Sequence, residues 1–164
     1  MLAGAAPAFA DTFRSPAHKF SANFPGVAQQ GETKDNEKDR DGNVISRMTE
    51  FEDSAENRYI AVLMADLYIT PYRMTASGYM QPNIKNFVEG IKATATQKDT
   101  TVEGHPAVEF SFKASDGTLQ GKGLIVFVDE EKPRGYMLMA APLAGATADD
   151  RAKLDAFITS FDIQ

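Results

Sequence analysis

Three β-type runs follow one another between His105 and Ala141, and they limit the fold more than any other part of the chain. The first, Ala107 to Lys113, alternates apolar and polar residues, which predicts a strand with one face in water. The second, Leu119 to Asp129, ends in an apolar stretch, and the third, Gly135 to Ala141, is also apolar on both sides. Strands of that kind need a layer on each face. The short links between the runs contain aspartate, glycine and proline, which predicts an antiparallel meander.

Four further segments have strand patterns. The first alternates phenylalanine and alanine with polar residues and stops at a proline and a glycine, which predicts an edge strand. The next two carry mixed and apolar faces, and the last is polar. These segments are Lys19 to Phe24, Val44 to Glu52, Tyr59 to Ile69 and Thr96 to Glu103.

Two segments have the spacing of a helix that buries one stripe. We predict that the first begins at Pro82 and buries Ile84, Phe87, Val88 and Ile91. The second begins after Thr147, with Asp150 completing a capping-box pattern, and its stripe is Leu154, Phe157, Ile158 and Phe161. The predicted class is therefore α+β: an α/β/α sandwich with a central antiparallel sheet of about six strands and two main helices. The length favours a single domain over residues 11–164.

Composition excludes several classes of function. A net charge of -6 argues against nucleic-acid binding, because phosphate binding needs a cationic face, and against anionic membranes for the same reason. The chain has no cysteine, which removes disulfides, thiolate metal sites and thiol nucleophiles. No segment is long and apolar enough for stable membrane insertion.

The first ten residues are apolar and rich in small side chains, and they end in Ala8-Phe9-Ala10 before Asp11. This pattern is typical of the cleavage end of a secretory signal, so we interpret residues 1–10 as the remnant of a signal peptide. A periplasmic or extracellular location after cleavage is then expected. The alternative is an apolar N-terminus without a targeting role.

The charged segment from Gln29 to Asn43 has no apolar residue, which is typical of a solvated hairpin tip. Its acids also suggest a calcium loop, because Glu37, Asp39 and Asp41 have the spacing of the first ligands. The twelfth position is Met48 rather than glutamate, and interleaved bases would oppose a cation. We therefore predict no metal and no other cofactor.

The connector from Thr70 to Gln81 follows a strand and carries tyrosines and methionines without helix or strand periodicity. Side chains of this kind serve binding loops, and they also serve as covers over a core edge. The candidate surface for a ligand or partner is Tyr68, Tyr72, Arg73, Met74, Tyr79 and Met80.

No catalytic residue is predicted, because the sequence has no nucleophile motif or phosphate loop, and its two histidines lie far apart in the sequence. Asp66 interrupts an apolar strand and is interpreted as a hydrogen-bonded carboxylate rather than a functional acid. His105, next to Pro106, is interpreted as a structural or solvated histidine. An enzyme of unrecognised type remains an alternative.

The order of elements and three short motifs resemble the PsbP-like superfamily. The motifs are Phe20 to Gly26, Val102 to Ala107 and the terminal Thr159-Ser160-Phe161, and the resemblance covers nearly the whole chain after Ala10. It implies the sandwich fold, shared with the Ran-binding Mog protein, and no common catalytic residue. Members are accessory, scaffold or chaperone proteins, so the resemblance implies a small bacterial exported member of this kind.

The leading hypothesis is a non-catalytic exported accessory or scaffold protein that binds another protein. The alternative is a carrier or chaperone for apolar ligands or peptides, with the candidate tyrosines and methionines lining a concave apolar pocket.

Overall fold

The structure is a computed structural model that describes residues 11–164, so the proposed signal remnant lies outside the described residues. It has two helices and two antiparallel sheets, which confirms the α+β class. The strands are β1 Phe13–Ser15, β2 Phe20–Ala22, β3 Gln29–Gln30, β4 Lys34–Asp35, β5 Ser46–Ala55, β6 Tyr59–Tyr68, β7 Ala93–Val102, β8 His105–Ala114, β9 Gln120–Val128, β10 Arg134–Pro142 and β11 Asp162–Ile163. The helices are α1 Ala76–Gly90 and α2 Ala148–Thr159.

The main sheet has eight strands, in the order β3-β5-β6-β10-β9-β8-β7, with β4 also paired to β5. The expected number of about six was too small. Six strands are nine or ten residues long, and the two others have two residues each. The short strands come from the polar segment that was predicted as a solvated tip. They form because their backbone groups pair with the outer edge of β5. Their polar side chains show no alternation from which this pairing could be predicted.

The predicted meander is confirmed, because β8, β9 and β10 are neighbours paired antiparallel. Side chains of β9 and β10 are buried on both faces along most of their length. Alternate residues of a strand point to opposite faces, and each helix packs on one of them. We therefore name the two faces of the main sheet the α1 face and the α2 face.

The small sheet, in the order β1-β2-β11, joins the two ends of the described chain. Its strand β2 was predicted as an edge strand, which was wrong, because β1 and β11 pair with it on either side. Phe20 and Phe24 instead pack with Phe157 and Phe161 in the core of the α2 face. The rings of Phe24 and Phe157 are 4.7 Å apart, and those of Phe20 and Phe51 are 5.0 Å apart. The small sheet and α2 together form the layer on that face.

Helix α1 begins six residues earlier than Pro82, so the predicted start was wrong. Thr75 is the N-cap, and its hydroxyl accepts a hydrogen bond from the N–H of Gly78 at 2.9 Å. Pro82 lies inside the helix, where it leaves one intrahelical hydrogen bond unmade. The predicted stripe is confirmed, since Ile84 is buried and Phe87, Val88 and Ile91 pack against the same cluster.

Helix α2 begins as predicted, with Thr147 as N-cap and a capping box closed by Asp150. Asp150 accepts from the N–H of Thr147 at 2.8 Å and from Arg58 Nε at 3.0 Å. The Arg58 guanidinium and these hydrogen bonds lower the pKa of Asp150 to about 2. The pair fixes the start of α2 to the turn between β5 and β6.

Each helix covers only part of its face. α1 packs mainly against β7, β8 and β9, whereas α2 packs mainly against β10, β6 and β9. On the α1 face, β5 and β6 therefore extend beyond the area that α1 covers. On the α2 face, β7 and β8 extend beyond the area that α2 covers. These two partly open areas lie at opposite ends of the sheet and on opposite faces.

Candidate functional site

Three of the six candidate side chains belong to the core. Tyr68 on β6 and Tyr79 and Met80 on α1 are buried in the apolar cluster of the α1 face. The Tyr79 ring contacts the sheet where β10 has no side chain, because a Cβ atom at Gly135 would lie 1.9 Å from its Cζ atom. These residues pack the core edge, which was the alternative interpretation for them.

The other three line an open cleft at the end of the sheet, which we call the tyrosine cleft. It has a volume of about 710 Å³ and lies between Tyr72, Arg73 and Met74 on one side and the acidic turn of residues 129–131 on the other. Tyr72 is 37% exposed and stacks on Tyr68 with ring centroids 5.2 Å apart. The six candidates therefore do not line one apolar pocket, and the carrier hypothesis loses that support.

A half-buried apolar area lies on the open part of the α1 face, and we call it the methionine patch. Its members alternate along β6 and continue on the strands beside it. Val62 is paired with Met139, and Met64 with the buried Met137. The half-buried residues of the patch are Met48, Ile60, Val62, Met64 and Met139.

Two glutamates border the methionine patch on β5. In the register of the sheet, Glu50 is opposite Met64 and Glu52 is opposite Val62, so each pair points to the same face. Both glutamates are exposed. The patch is thus apolar in its centre and acidic where Glu50 and Glu52 border it, while the exposed Lys34 of β4 lies opposite Met48.

A larger groove of about 970 Å³ lies on the open part of the α2 face, between α2 and the ends of β7, β8 and β9. We call it the cationic groove. Its floor carries hydroxyls and Lys113, and its helical wall carries Arg151 together with Leu154 and Ile158. Lys122 and Asp155 join floor and wall through an ion pair of 3.0 Å.

Asp66 is 4% exposed and lies on the α1 face of β6, between Met64 and Tyr68. Its Oδ2 accepts a hydrogen bond from Asn36 at 2.9 Å, and its Oδ1 has no partner within residues 11–164. Burial raises the pKa of Asp66 to about 6, and hydrogen bonds from Ser46 and Asn36 only partly offset that rise. Burial likewise raises the pKa of Tyr79. Asp66 lines neither the tyrosine cleft nor the cationic groove.

The segment considered as a calcium loop uses its acid to hold its own backbone. Asp39 accepts from the N–H groups of Asp41 and Asn43 at 2.9 and 2.8 Å. In the described part of the chain, no group of three or more metal-ligating side chains is placed to hold a metal ion.

The buried histidine is His18 rather than His105. Its ring nitrogens lie 2.8 Å from Ser15 Oγ and 2.9 Å from Thr49 Oγ1, so it ties the β1–β2 turn to β5. Burial lowers the pKa of His18. His105 is half-buried at the first position of β8, paired with Val102. It therefore lies in a strand, at the edge of the β7–β8 turn.

No model of a known protein family matches the chain. A search of curated proteins also finds no match. Between residues 11 and 164, no helix has both the length and the apolar character needed to cross a membrane.

Sequence reasoning missed the methionine patch and the cationic groove. The alternation of β6 showed that both of its faces are apolar, but it gave no sign of which face α1 would leave open. The groove residues come from four strands, the loops beside them and a helix, which are distant in sequence, and no single one of them has a pattern that marks a site.

Proposed function

We propose that the protein is a PsbP-like accessory protein of the α/β/α sandwich type, exported to the periplasm or the extracellular space, that binds another protein through the methionine patch. The role is non-catalytic. The proposal rests on the position of an apolar, acid-bordered area beside α1, at the one end of the sheet that this helix leaves open.

The apolar character of the patch supports protein binding. Contiguous exposed apolar surface on a monomer marks interaction sites more often than isolated apolar residues do. Methionine side chains are flexible and polarisable, so they adapt to a partner surface without strain. Met48, Met64 and Met139 all belong to this area, and all three are half-buried.

The charges at the patch indicate the chemistry of the partner. Glu50 and Glu52 would attract a segment that carries lysine or arginine beside an apolar stripe. The net charge of -6 adds a long-range attraction for such a segment. The expected partner surface is therefore an amphipathic, basic segment of another protein.

Two synthetic amphipathic peptides test this proposal, one with leucine and lysine faces and one with leucine and glutamate faces. We expect the lysine peptide to bind at least about tenfold more tightly, as judged by calorimetry at low salt. Glu50→Lys with Glu52→Lys should remove most of that preference, because the charge at the border of the patch is reversed.

The matched control is Asp129→Lys with Glu131→Lys, which makes the same charge change at exposed positions in the β9–β10 turn. If the control variant loses as much affinity for the lysine peptide as the patch variant does, binding depends on net charge and the assigned surface is wrong. Equal binding of the two peptides would also reject it. Val62→Glu, verified to fold by circular dichroism, should abolish binding through the apolar centre.

Export has a separate test. Cleavage after Ala10 would leave Asp11 as the first residue of the mature protein. N-terminal sequencing of the protein isolated from the source cells checks this. Mature protein that retains residues before Asp11 would argue against export.

A further inference from the structure

We propose that the cationic groove binds a small amphipathic anion, with an oxyanion head group held by Lys113 and Arg151 and an apolar tail of medium length along α2. This site lies on the opposite face from the methionine patch and at the other end of the sheet, so it is independent of the proposed protein-binding surface.

The charge of the groove is opposite to that of the molecule. Among its lining side chains, Lys113, Lys122 and Arg151 are cationic and Asp155 is the single acid. The chain as a whole has a formal charge of -6. A local excess of positive charge within an acidic protein favours an anionic ligand over a neutral or cationic one.

Two of these cations have no acidic partner among the described residues. Lys122 is paired with Asp155 at 3.0 Å, whereas Lys113 and Arg151 form no ion pair with any residue from 11 to 164. The two acids before Arg151 are engaged elsewhere, since Asp149 pairs with Lys153 at 2.9 Å and Asp150 pairs with Arg58. An incoming oxyanion would supply the missing partner.

An acid beside the groove is also engaged. Asp116, in the β8–β9 turn, accepts from the N–H of Thr118 at 2.9 Å and from its hydroxyl at 2.7 Å. These hydrogen bonds lower the pKa of Asp116 and hold its carboxylate against the turn. It therefore does not pair with Lys113.

The lining and size of the groove define the rest of the ligand. Leu143, Leu154 and Ile158 form an apolar strip, while Thr94, Thr96 and Ser111 place hydroxyls on the floor. A volume of about 970 Å³ is at the upper end of the range for small-molecule sites. A head group with hydrogen-bond acceptors and a tail of medium length suits both surfaces. Carboxylate and phosphate head groups share this chemistry, because lysine and arginine donate to either one.

Decanoate and decyl phosphate, used below their micelle-forming concentrations, are the probes. Titration into the ¹⁵N-labelled protein should move amide signals around Ser111, Lys113 and Arg151 in a saturable way. We expect Lys113→Glu and Arg151→Glu each to weaken binding by about tenfold or more, since each removes a charge-assisted hydrogen bond. Both positions are exposed, so the variants are expected to fold.

Three comparisons decide the outcome. Lys132→Glu, at an exposed position outside the groove, should leave the affinity within about twofold of the wild type. Decyltrimethylammonium, with the same tail and a positive head, should bind much more weakly than decanoate. Acetate and inorganic phosphate should bind more weakly than their decyl counterparts, because they lack the apolar contact. Equal binding of the cationic amphiphile, no saturable shift with decanoate, or an equal loss in Lys132→Glu would overturn the proposal.

Discussion

Glycines in the core strands mark the places where aromatic rings pack directly on the sheet. A Cβ atom at Gly123 would lie 2.1 Å from the ring of Phe110, and one at Gly135 would lie 1.9 Å from that of Tyr79. The absence of a side chain lets each ring approach the backbone closely. Gly90, at the end of α1, has no heavy atom within 4 Å of such a position.

Alanine at these glycines should therefore have opposite effects. We expect Gly135→Ala to lower the free energy of unfolding by about 1–3 kcal/mol, because the buried Tyr79 ring must move. Gly90→Ala should raise it by roughly 0.4–1 kcal/mol, since alanine is the better helix former and the space is open. Urea denaturation followed by circular dichroism measures both. A stable Gly135→Ala variant would show that the ring relaxes without cost.

The buried carboxyl of Asp66 predicts a pH dependence of stability. Its pKa is raised to about 6 in the folded protein, so between the unfolded value and 6 the folded state binds more protons than the unfolded state. The extra proton that the folded state binds therefore adds to the free energy of unfolding at acidic pH, and this contribution is lost as the pH rises through 6. The full effect at neutral pH is on the order of 2–3 kcal/mol.

The asparagine of the Asp66→Asn variant has no proton to lose. The free energy of unfolding of this variant, relative to that of the wild type, should therefore rise by about 2–3 kcal/mol between pH 4 and pH 7. Urea denaturation at several pH values measures the difference, and Asp129→Asn at an exposed position serves as the control. Parallel pH curves for wild type and Asp66→Asn would contradict the assignment.

Among the elements, α1 shows how a local signal can mislead. Proline suits the first turn of a helix, and Pro82 precedes a clear apolar stripe, so it was interpreted as the start. The helix instead begins after Thr75, because its first turn brings Tyr79 and Met80 onto the α1 face. The burial of these two side chains outweighs the hydrogen bond lost at Pro82.

Pro82→Ala should consequently stabilise the protein by up to about 3 kcal/mol, since alanine restores the missing N–H at an exposed position. Pro71→Ala, in the loop before α1, is the matched comparison and should destabilise slightly through the freer unfolded chain. Thermal unfolding of the two variants is sufficient. An effect of the same sign in both would mean that the helix has adapted to Pro82.

In the whole molecule, two apolar clusters share one sheet. Neighbouring residues of β9 point to opposite sides, so Ile125 belongs to the cluster of the α1 face and Val126 to that of the α2 face. Loss of either layer would expose the backbone that supports the other. The small sheet adds a further link, because Ser21 near the beginning pairs with Asp162 near the end.

The protein should therefore unfold in a single cooperative transition. Labelling with fluorinated phenylalanine reports on both faces, since Phe110 and Phe127 lie in one cluster and Phe20 and Phe157 in the other. All ¹⁹F signals should change at the same urea concentration as the circular dichroism. Separate midpoints for the two groups of signals would show that the layers unfold independently.

The amino-acid sequence by itself determined the long strands, the meander and the apolar stripes of both helices. These features depend on periodicity within one segment, since alternation or helical spacing assigns a side chain to a face regardless of distant residues. The cap of α2 was predictable for the same reason, because Thr147 and Asp150 lie three residues apart.

Only the tertiary structure decided how far each helix extends over its face, and with it the position of the methionine patch and the cationic groove. It also decided the burial of Asp66 and the pairing of β2 with β11. These outcomes depend on the summed packing of segments that are far apart in the chain, and no local pattern records that sum.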